Sequence, residues 1–555
     1  MDRIKIFALG GLDENGKNLY VIDVNDEVIL IEAGSRYPET DQLGVSEIIC
    51  DYDYIYENKD RIKGIFITHA HDDVMGGLKY LIKQINIPIY TAAYTAALIR
   101  NSFKKNKVSD YSLHVIDRSG SLKLGNFNIR TFALTCSTFD NFGLAIETDQ
   151  GYIVYTGEFI FDLDTTSQHF ASDIAYIADI GREKVFALLA ESNGADREGY
   201  TSPRHHITSM IEPHIENAEA RIIVSVYHQN LYRILEILRL AEKYRKRVYL
   251  YSNTIRQMLQ SIEELGYYHF QSHLFVDTET YNNENDDDVI VLVTGIGQEV
   301  FARMMRIAIN EDDKIHLKDS DTVIIASPAS YETEVDGSKM KDELYRDNVA
   351  IVNFTSSDIL TMHASSEDIK MMIYLFKPEY FIPIKGEYRQ LVVNANIALD
   401  MGYRADHIVV LDNGQIASFE GHTLKSTNDF VDIGEVMIGM DSSTDVNSSV
   451  LKDREVLSQD GVIIIGVALN YNTKEIISGV DVQSRGLIYL KDADYIVREV
   501  GNILVEAIKD AVKEGNFDNM KVRMDARDRI SRYLLRETGK RPMILPAIVE
   551  INITE

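Results

Sequence analysis

The sequence predicts mixed α/β domains followed by a small α+β piece, and three observations carry that prediction. Short apolar strands alternate with helices over residues 4 to about 202. Longer strand–helix units follow over 205–360, and a polar stretch at 441–449, rich in Ser, Asp and Asn, sets off a final hairpin-and-helix pattern. Such alternation marks a layered architecture, in which helices cover the faces of a sheet. At 555 residues with 45% hydrophobic content, the chain can bury two or three cores.

Taken in order, residues 20–23 and 28–32 read as consecutive strands joined by the turn Asn25-Asp26. Strands at 62–68 and 87–91, a helix at 94–105 and a strand at 152–156 follow. The next stretch has strands at 221–227, 248–252, 289–294 and 322–326 with helices at 231–244 and 256–264, a parallel unit. It reads as an insertion, because a helix at 366–376, a strand at 380–384 and a helix near 392–401 resume the first style. Residues 409–411 with Asp412-Asn413-Gly414 read as a hairpin. Past the 441–449 linker, 462–469 and 474–481 suggest a hairpin, 493–514 and 524–537 helices, and 542–551 a closing strand. The expected domains are therefore 1–204, an insert at 205–360, the rest of the first domain at 361–440, and 450–555.

Composition narrows the functional classes. Two cysteines, Cys50 and Cys136, exclude a disulfide framework and fit a reducing compartment. Apolar runs fall short of the roughly 18 residues that a membrane span needs, so cytoplasmic residence without a membrane partner is the expectation. The formal charge of -29 argues against indiscriminate attraction to nucleic acid, which rests on lysine and arginine neutralising phosphates. A local basic channel could still form at 100–107, 239–247 or 523–541; the alternative for each is a solvated helix face.

The densest chemistry lies at 65–77, where Ile-Phe-Ile-Thr-His-Ala-His-Asp-Asp-Val-Met-Gly-Gly carries a strand into a polar loop and a helix. If the loop stays extended, a period of two turns His69, His71 and Asp73 to one side and offers two imidazoles and a carboxylate to one metal ion. The plainer alternative is a pair of surface histidines beside a helix capped by Asp72 or Asp73.

This block resembles the His-x-His-x-Asp-His signature of the metallo-β-lactamase fold, whose hydrolases use one or two metal ions to generate a hydroxide; Val74 stands where the last histidine belongs. The inserted unit narrows the resemblance to the β-CASP branch, which acts on nucleic acids. Leu9-Gly10-Gly11, Gly16-Lys17-Asn18, Tyr155-Thr156-Gly157 and the run from Lys377-Pro378 to Gly386-Glu387-Tyr388-Arg389 look like the ribonuclease J family, and the likeness spans the whole chain. It implies an αββα sandwich, an inserted β-CASP α/β domain and a small α+β C-terminal domain that assists dimer formation. The implied activity is metal-dependent digestion of RNA from the 5′ end, with internal cutting, in RNA processing and decay.

Carried over position by position, His69, His71 and Asp73 match metal ligands, Cys136 falls on a histidine ligand, and Glu158 falls on the bridging aspartate. Glu32 stands for a supporting aspartate, Lys385 for the last histidine ligand, and His363 for the histidine that faces the scissile phosphate. The resemblance thus makes Asp73 and His363 the catalytic candidates, with Lys385, Arg389 and His363 the candidates for holding a substrate phosphate. An apolar side chain cannot ligate and an ammonium has no lone pair, so Val74 and Lys385 remove the second metal position. For the first, one zinc ion on His69, His71, Cys136 and Glu158 stands against a metal-free cluster held by hydrogen bonds. Lys385 either holds a phosphate or pairs internally with Glu158 or Asp73. The family's Asn-x-His-Arg block keeps Asn230 and Arg233 but has Tyr232, and Gly295-Ile296-Gly297-Gln298 departs from its Gly-Ser-Gln-Gly. Met362-His363-Ala364 replaces Gly-His-Gly, with side chains that crowd a phosphate approaching the backbone.

These losses favour a ribonuclease J-type subunit that is weak or inactive alone and partners an active paralogous chain on 5′-monophosphorylated RNA, as a homodimer or hetero-oligomer. The alternative is an active, one-metal, zinc-dependent 5′–3′ exoribonuclease. A thioester or lactam hydrolase of the same fold is disfavoured, because such enzymes lack the insertion and the C-terminal domain.

Overall fold

The computed structural model describes residues 1–38, 42–277, 281, 288–330, 333–440, 448–487, 494–515 and 517–552. It forms two compact units, Met1–Arg36 with Ile49–Glu435, and Tyr37–Ile48 with Val436–Glu555.

Two facing sheets build the body of the first unit. One has the strand order Thr423–Phe430, Gln415–Glu420, Arg3–Gly10, Leu19–Val24, Glu27–Ile31, Ile62–Ile67, Ile89–Thr91, Leu113–Val115. The other has the order Tyr380–Ile384, Val185–Glu191, Tyr152–Tyr155, Phe142–Ile146, Phe127–Ala133, Gly120–Leu124. Ile4, Ile6, Ile22 and Ile29 of the first share a core with Leu144, Ile153, Phe186 and Ile382 of the second. The opposite face of the second sheet, with Val154, Leu188 and Phe381, packs on the helices Ile174–Arg182 and Ser366–Phe376. Burying one such side chain fully is worth roughly 1.5–3 kcal/mol, and a one-residue slip would reverse every side chain, so this two-sided burial fixes the register. The result is the expected αββα sandwich. Tyr152–Tyr155, Val185–Glu191 and Tyr380–Ile384 are adjacent and parallel, so residues that follow all three emerge at one edge.

The inserted segment is a parallel sheet in the order Arg247–Leu250, Val289–Gly295, Ile222–Tyr227, Thr322–Ile325, Ala350–Asn353. Alternation decides its two faces: Ile222, Val224, Ile290, Leu292 and Ile324 meet a layer that includes helix Leu231–Lys243. Ile223, Val289, Val291, Val323 and Ile325 meet Gln298–Ala308 and Glu334–Leu344. Burial on both faces explains the unbroken Val/Ile runs.

In the second unit, Val462–Asn470 pairs antiparallel with Ile476–Arg485 and parallel with Met543–Ile551. Helices Asp494–Lys513 and Asn519–Thr538 join this sheet in one core through Ile465, Leu504 and Ile530. Asp518 starts the second helix by accepting from the N–H groups of Met520 and Lys521 at 2.9 and 3.1 Å, and Gly539, at φ 71°, ends it.

Two local expectations shift. Val409 and Leu411 are buried in the shared core instead of forming a strand, and the hairpin lies one step later, between Gln415–Glu420 and Thr423–Phe430. Of the 441–449 linker, 441–447 lies outside the described residues, and the helix Ser448–Gln459 begins at once after it. Cys50 and Cys136 are buried free thiols. No described helix is long and apolar enough to cross a membrane.

Candidate metal centre

The strand Ile62–Ile67 runs into Thr68, bends at His69-Ala70 and enters a short helix, Asp72–Met75, with His71 at its N-cap position. His69, His71 and Asp73 therefore converge through a bend and a helix start, not through the extended run that the spacing suggests, and neither aspartate is the cap. Glu158 follows Tyr152–Tyr155, Lys385 follows Tyr380–Ile384, and Glu191 closes its own strand, all at the shared edge. One ligand atom from each of His69, His71, Asp73 and Glu158 lies within 4.8 Å of the others.

Glu158 is the hub. Its Oε2 is 3.4 Å from His69 Nε2 and 3.2 Å from His71 Nδ1, and its Oε1 accepts from Lys385 Nζ at 2.7 Å. The same ammonium stands 2.9 Å from Asp73 Oδ2, which also accepts from Asn18 Nδ2 at 3.0 Å. Lys385 is 2% and Glu158 3% exposed. Burial opposes every one of these charges, but their mutual attraction prevails. It holds Lys385 well above the usual lysine value, Glu158 well below the carboxylate value, and Asp73 below it. Of the two roles open to Lys385, this is the geometry of the internal pair.

The two histidines are shifted in opposite directions. Burial lowers the pKa of His69; its Nδ1 faces Thr68 Oγ1 at 2.8 Å, while its buried Nε2, 3.4 Å from Glu158 Oε2, has no well-directed hydrogen bond. A buried nitrogen left so is rare, and a lone pair directed at a cation is one way to satisfy it. Burial also opposes the charge on His71, but Glu158 and Asp73 raise its pKa above the usual value. Its Nε2 meets Ser137 Oγ at 2.9 Å and the Gln229 carbonyl at 3.1 Å. Glu32, in a left-handed backbone conformation (φ 67°), accepts from Thr68 N, Thr68 Oγ1 and Tyr155 OH at 3.1, 2.6 and 3.2 Å. Burial raises its pKa to about 8, so its carboxyl is neutral through most of the physiological range.

His363 reaches this edge from the inserted side, with Nδ1 2.9 Å from Glu191 Oε2 and 3.9 Å from Glu158 Oε1. The other oxygen of Glu191 accepts from Phe159 N and Ala364 N at 2.9 and 3.0 Å. Sequence reasoning gave Glu191 no role, although a carboxylate closing the otherwise apolar strand Val185–Glu191 is a readable signal. Cys136 stands apart from the four-group cluster. Its Sγ accepts from Thr138 N at 3.4 Å, and burial, with Glu158 adding to it, pushes the thiol up to about 12. Arg389 pairs at the surface with Asp196 and Glu387, both at 2.9 Å. Asn230 caps its helix by accepting from Arg233 N, and the buried Arg233 donates to the carbonyls of Ala326 and Leu360 at 3.1 and 3.2 Å. Both retained residues of that block thus hold the fold.

Comparison with known proteins covers the same ground. The metallo-beta-lactamase superfamily model matches residues 12–193, the ribonuclease J beta-CASP domain 219–334, and the ribonuclease J C-terminal domain 449–551. The chain is 32% identical over 549 residues to Ribonuclease J 2 of Staphylococcus aureus (strain NCTC 8325 / PS 47), covering 99% of this chain and 98% of that one. It is 31% identical over 552 residues to Ribonuclease J 2 of Staphylococcus epidermidis, with the same coverage. A crystal structure of a protein of unknown function from Enterococcus faecalis V583 matches with a TM-score of 0.51 at 13% identity, over 75% of this chain and 100% of that one, a likeness of fold.

Proposed function

Because the chain belongs to the ribonuclease J family, we propose that it is an RNA-handling subunit whose own hydrolytic centre is weakened and which acts together with an active paralogous chain. The observation that carries this reading is the Lys385 ammonium, buried between Glu158 and Asp73 at 2.7 and 2.9 Å. A two-ion hydrolase uses its metals both to make a nucleophilic hydroxide and to neutralise developing charge. An ammonium serves the second purpose and not the first. Val74, fully buried, adds no ligand.

A single ion fits what is left: His69, whose Nε2 has no well-directed hydrogen bond, His71, Asp73 and Glu158 would hold it, and two nitrogens with carboxylate oxygens suit zinc. When bound, such an ion polarises a phosphoryl oxygen and lowers the pKa of a bound water. The chain's own residues supply the rest. Asp73 and Glu158 set the charge of the centre, and Lys385 offsets it. His363, fixed through Nδ1 by Glu191, keeps its Nε2 side for a phosphate, and the exposed Arg389 offers a fork to the 5′-phosphate end. With Lys385 buried between two carboxylates, phosphate contact falls mainly to His363 and to Arg389, whose solvent-exposed pairs with Asp196 and Glu387 are the more easily exchanged. In this reading the chain resides in the cytoplasm, binds 5′-monophosphorylated RNA, and assembles as a homodimer or hetero-oligomer through residues 450–555. The His69 Nε2, without a well-directed hydrogen bond, favours a second reading, an active one-metal 5′–3′ exoribonuclease.

One experiment separates them. Metal content of the purified chain is measured by elemental analysis. Degradation of a 5′-monophosphorylated RNA is then followed with the chain alone and mixed with a ribonuclease J chain that keeps every histidine ligand. No metal equivalent that depends on His69 and His71 and no degradation alone, with altered activity in the mixture, supports the partner subunit. One tightly held zinc with degradation abolished by His71→Ala overturns it in favour of the second reading.

A further inference from the structure

We propose that Asp162, His205 and His206 form a second metal site, sharing no ligand with the first, that takes one zinc ion. Asp162 lies beyond the strand Tyr152–Tyr155, and the two histidines precede the helix Thr208–Glu216. His205 Nε2 and His206 Nε2 stand 3.3 and 3.4 Å from Asp162 Oδ2, and one donor atom from each residue lies within 4.8 Å of the others. Donors bonded at 2.0–2.1 Å to a tetrahedral zinc are about 3.4 Å apart, so these separations are those of a ligand edge.

The two Nε2 atoms face Asp162 Oδ2 at the long end of the hydrogen-bond range without a well-directed hydrogen bond. Nδ1 of His205, which is 1% exposed, has no hydrogen-bond partner. A neutral imidazole carries one lone pair, so the Nε2 atom of each ring, both facing Asp162 Oδ2, is the one a cation can meet, and buried nitrogens left without a directed partner are costly. The surroundings suit that cation. Asp162 Oδ1 is already fixed, accepting from Ser202 Oγ at 2.8 Å and Asp164 N at 3.1 Å, which aims Oδ2 at the histidines. His206 Nδ1 lies 3.4 Å from Glu236 Oε1, the carboxylate-behind-histidine arrangement that leaves Nε2 as the ligating nitrogen. Glu236 in turn accepts from Thr208 Oγ1 at 2.7 Å and Ile207 N at 3.2 Å. Tyr232 OH donates to Asp162 Oδ2 at 3.2 Å and holds that oxygen in place between the two rings. Two nitrogens and a carboxylate oxygen favour zinc over a hard ion. Such an ion staples the 162 loop to the start of helix Thr208–Glu216, beside helix Leu231–Lys243, a fastening role independent of RNA hydrolysis.

The test uses the full chain, stripped with a chelator and re-equilibrated with micromolar zinc. Zinc content and thermal midpoint are read for the native chain, for a His69→Ala/His71→Ala double variant, and for a His205→Gln/His206→Gln double variant checked for fold by circular dichroism. One equivalent of zinc that survives in the first variant and vanishes in the second, with a zinc-dependent rise in midpoint lost only in the second, is the expected result. Equal zinc in the second variant and the native chain, or none in the first, overturns the site and leaves Asp162, His206 and Glu236 as an ion-pair network. Should the second variant misfold, anomalous scattering at the zinc edge from native crystals decides: a peak within bonding distance of Asp162 Oδ2 supports the site, and zinc-soaked crystals without one refute it.

Discussion

Lys385→Met keeps an unbranched side chain one atom shorter and deletes its charge, and the left-handed backbone at that position (φ 54°) burdens both residues alike. What changes is electrostatic. Glu158, 4% exposed at its side chain, and Asp73, 23% exposed, lose a cation at 2.7 and 2.9 Å and are left facing each other. Removing one partner of a buried pair costs about 3–5 kcal/mol, and that is the loss expected for the first unit at pH 8. The pH dependence gives the sharper test. In the native chain both carboxylates have depressed pKa values, so their contribution is present above the unfolded carboxylate value and is lost as pH falls through the folded one. In the variant the largest depressing charge is gone and only the neighbouring histidines oppose burial, so both carboxylates take up protons more readily, and lowering the pH relieves the variant while it does not help the native chain. The stability gap therefore narrows from pH 8 to pH 5. The chain has no tryptophan, so urea unfolding is followed by far-ultraviolet circular dichroism and tyrosine fluorescence at both pH values. A gap under about 1 kcal/mol at pH 8, or one that is the same at both pH values, would refute the role of Lys385 as counter-ion.

Three further outcomes are expected. Glu32, with a folded pKa of about 8, contributes stability that is fully present below the unfolded carboxyl value and is lost as pH rises toward 8. Glu32→Gln should therefore flatten the fall in melting temperature between pH 5 and 8, and an unchanged slope would count against a neutral Glu32. Val74→His with Lys385→His returns two imidazoles to the centre, and histidine tolerates a positive φ better than most residues. This pair should gain one equivalent of metal over the native chain by elemental analysis; no gain would mean that the second position is lost for reasons beyond these side chains. Cys136→Ser should leave metal content unchanged, since Sγ faces Thr138, whereas loss of a zinc equivalent would restore the thiol as a ligand.

Much of the fold was legible because it is written in local periods. The strand Tyr380–Ile384 and the helix Ser366–Phe376 lie where the pattern sets them, the helix bracketed by the capping box of Ser365 and Asp368 and by Lys377 in the left-handed conformation. The helix Ser448–Gln459 escaped notice because its sequence, SSVLKDREVLSQ, has no marked apolar face. Val45–Cys50 carries polar residues inside a short strand and gives little period to read. At the site, the spacing of His69, His71 and Asp73 announced a shared target, although the bend that brings them together was not readable from it. Which way Lys385 and Cys136 would turn was beyond local reading. Lys385 meets Glu158 across 227 positions of sequence, and Cys136 is drawn aside by Thr138, two residues on, so similar polar side chains ended on opposite sides of the question. The pairing of His363 with Glu191 is likewise a product of two distant strand and loop ends meeting.

The charge between Asp73 and Glu158 is tethered to the backbone, and this sets it apart from any ion that could stand there. A bound metal stabilises its protein by an amount that follows the free concentration of that metal, and starvation or a chelator withdraws it. Lysine has no dissociation constant from its own chain. The positive charge that Lys385 brings to this edge of the sandwich therefore stays in place whether transition metals are abundant or scarce.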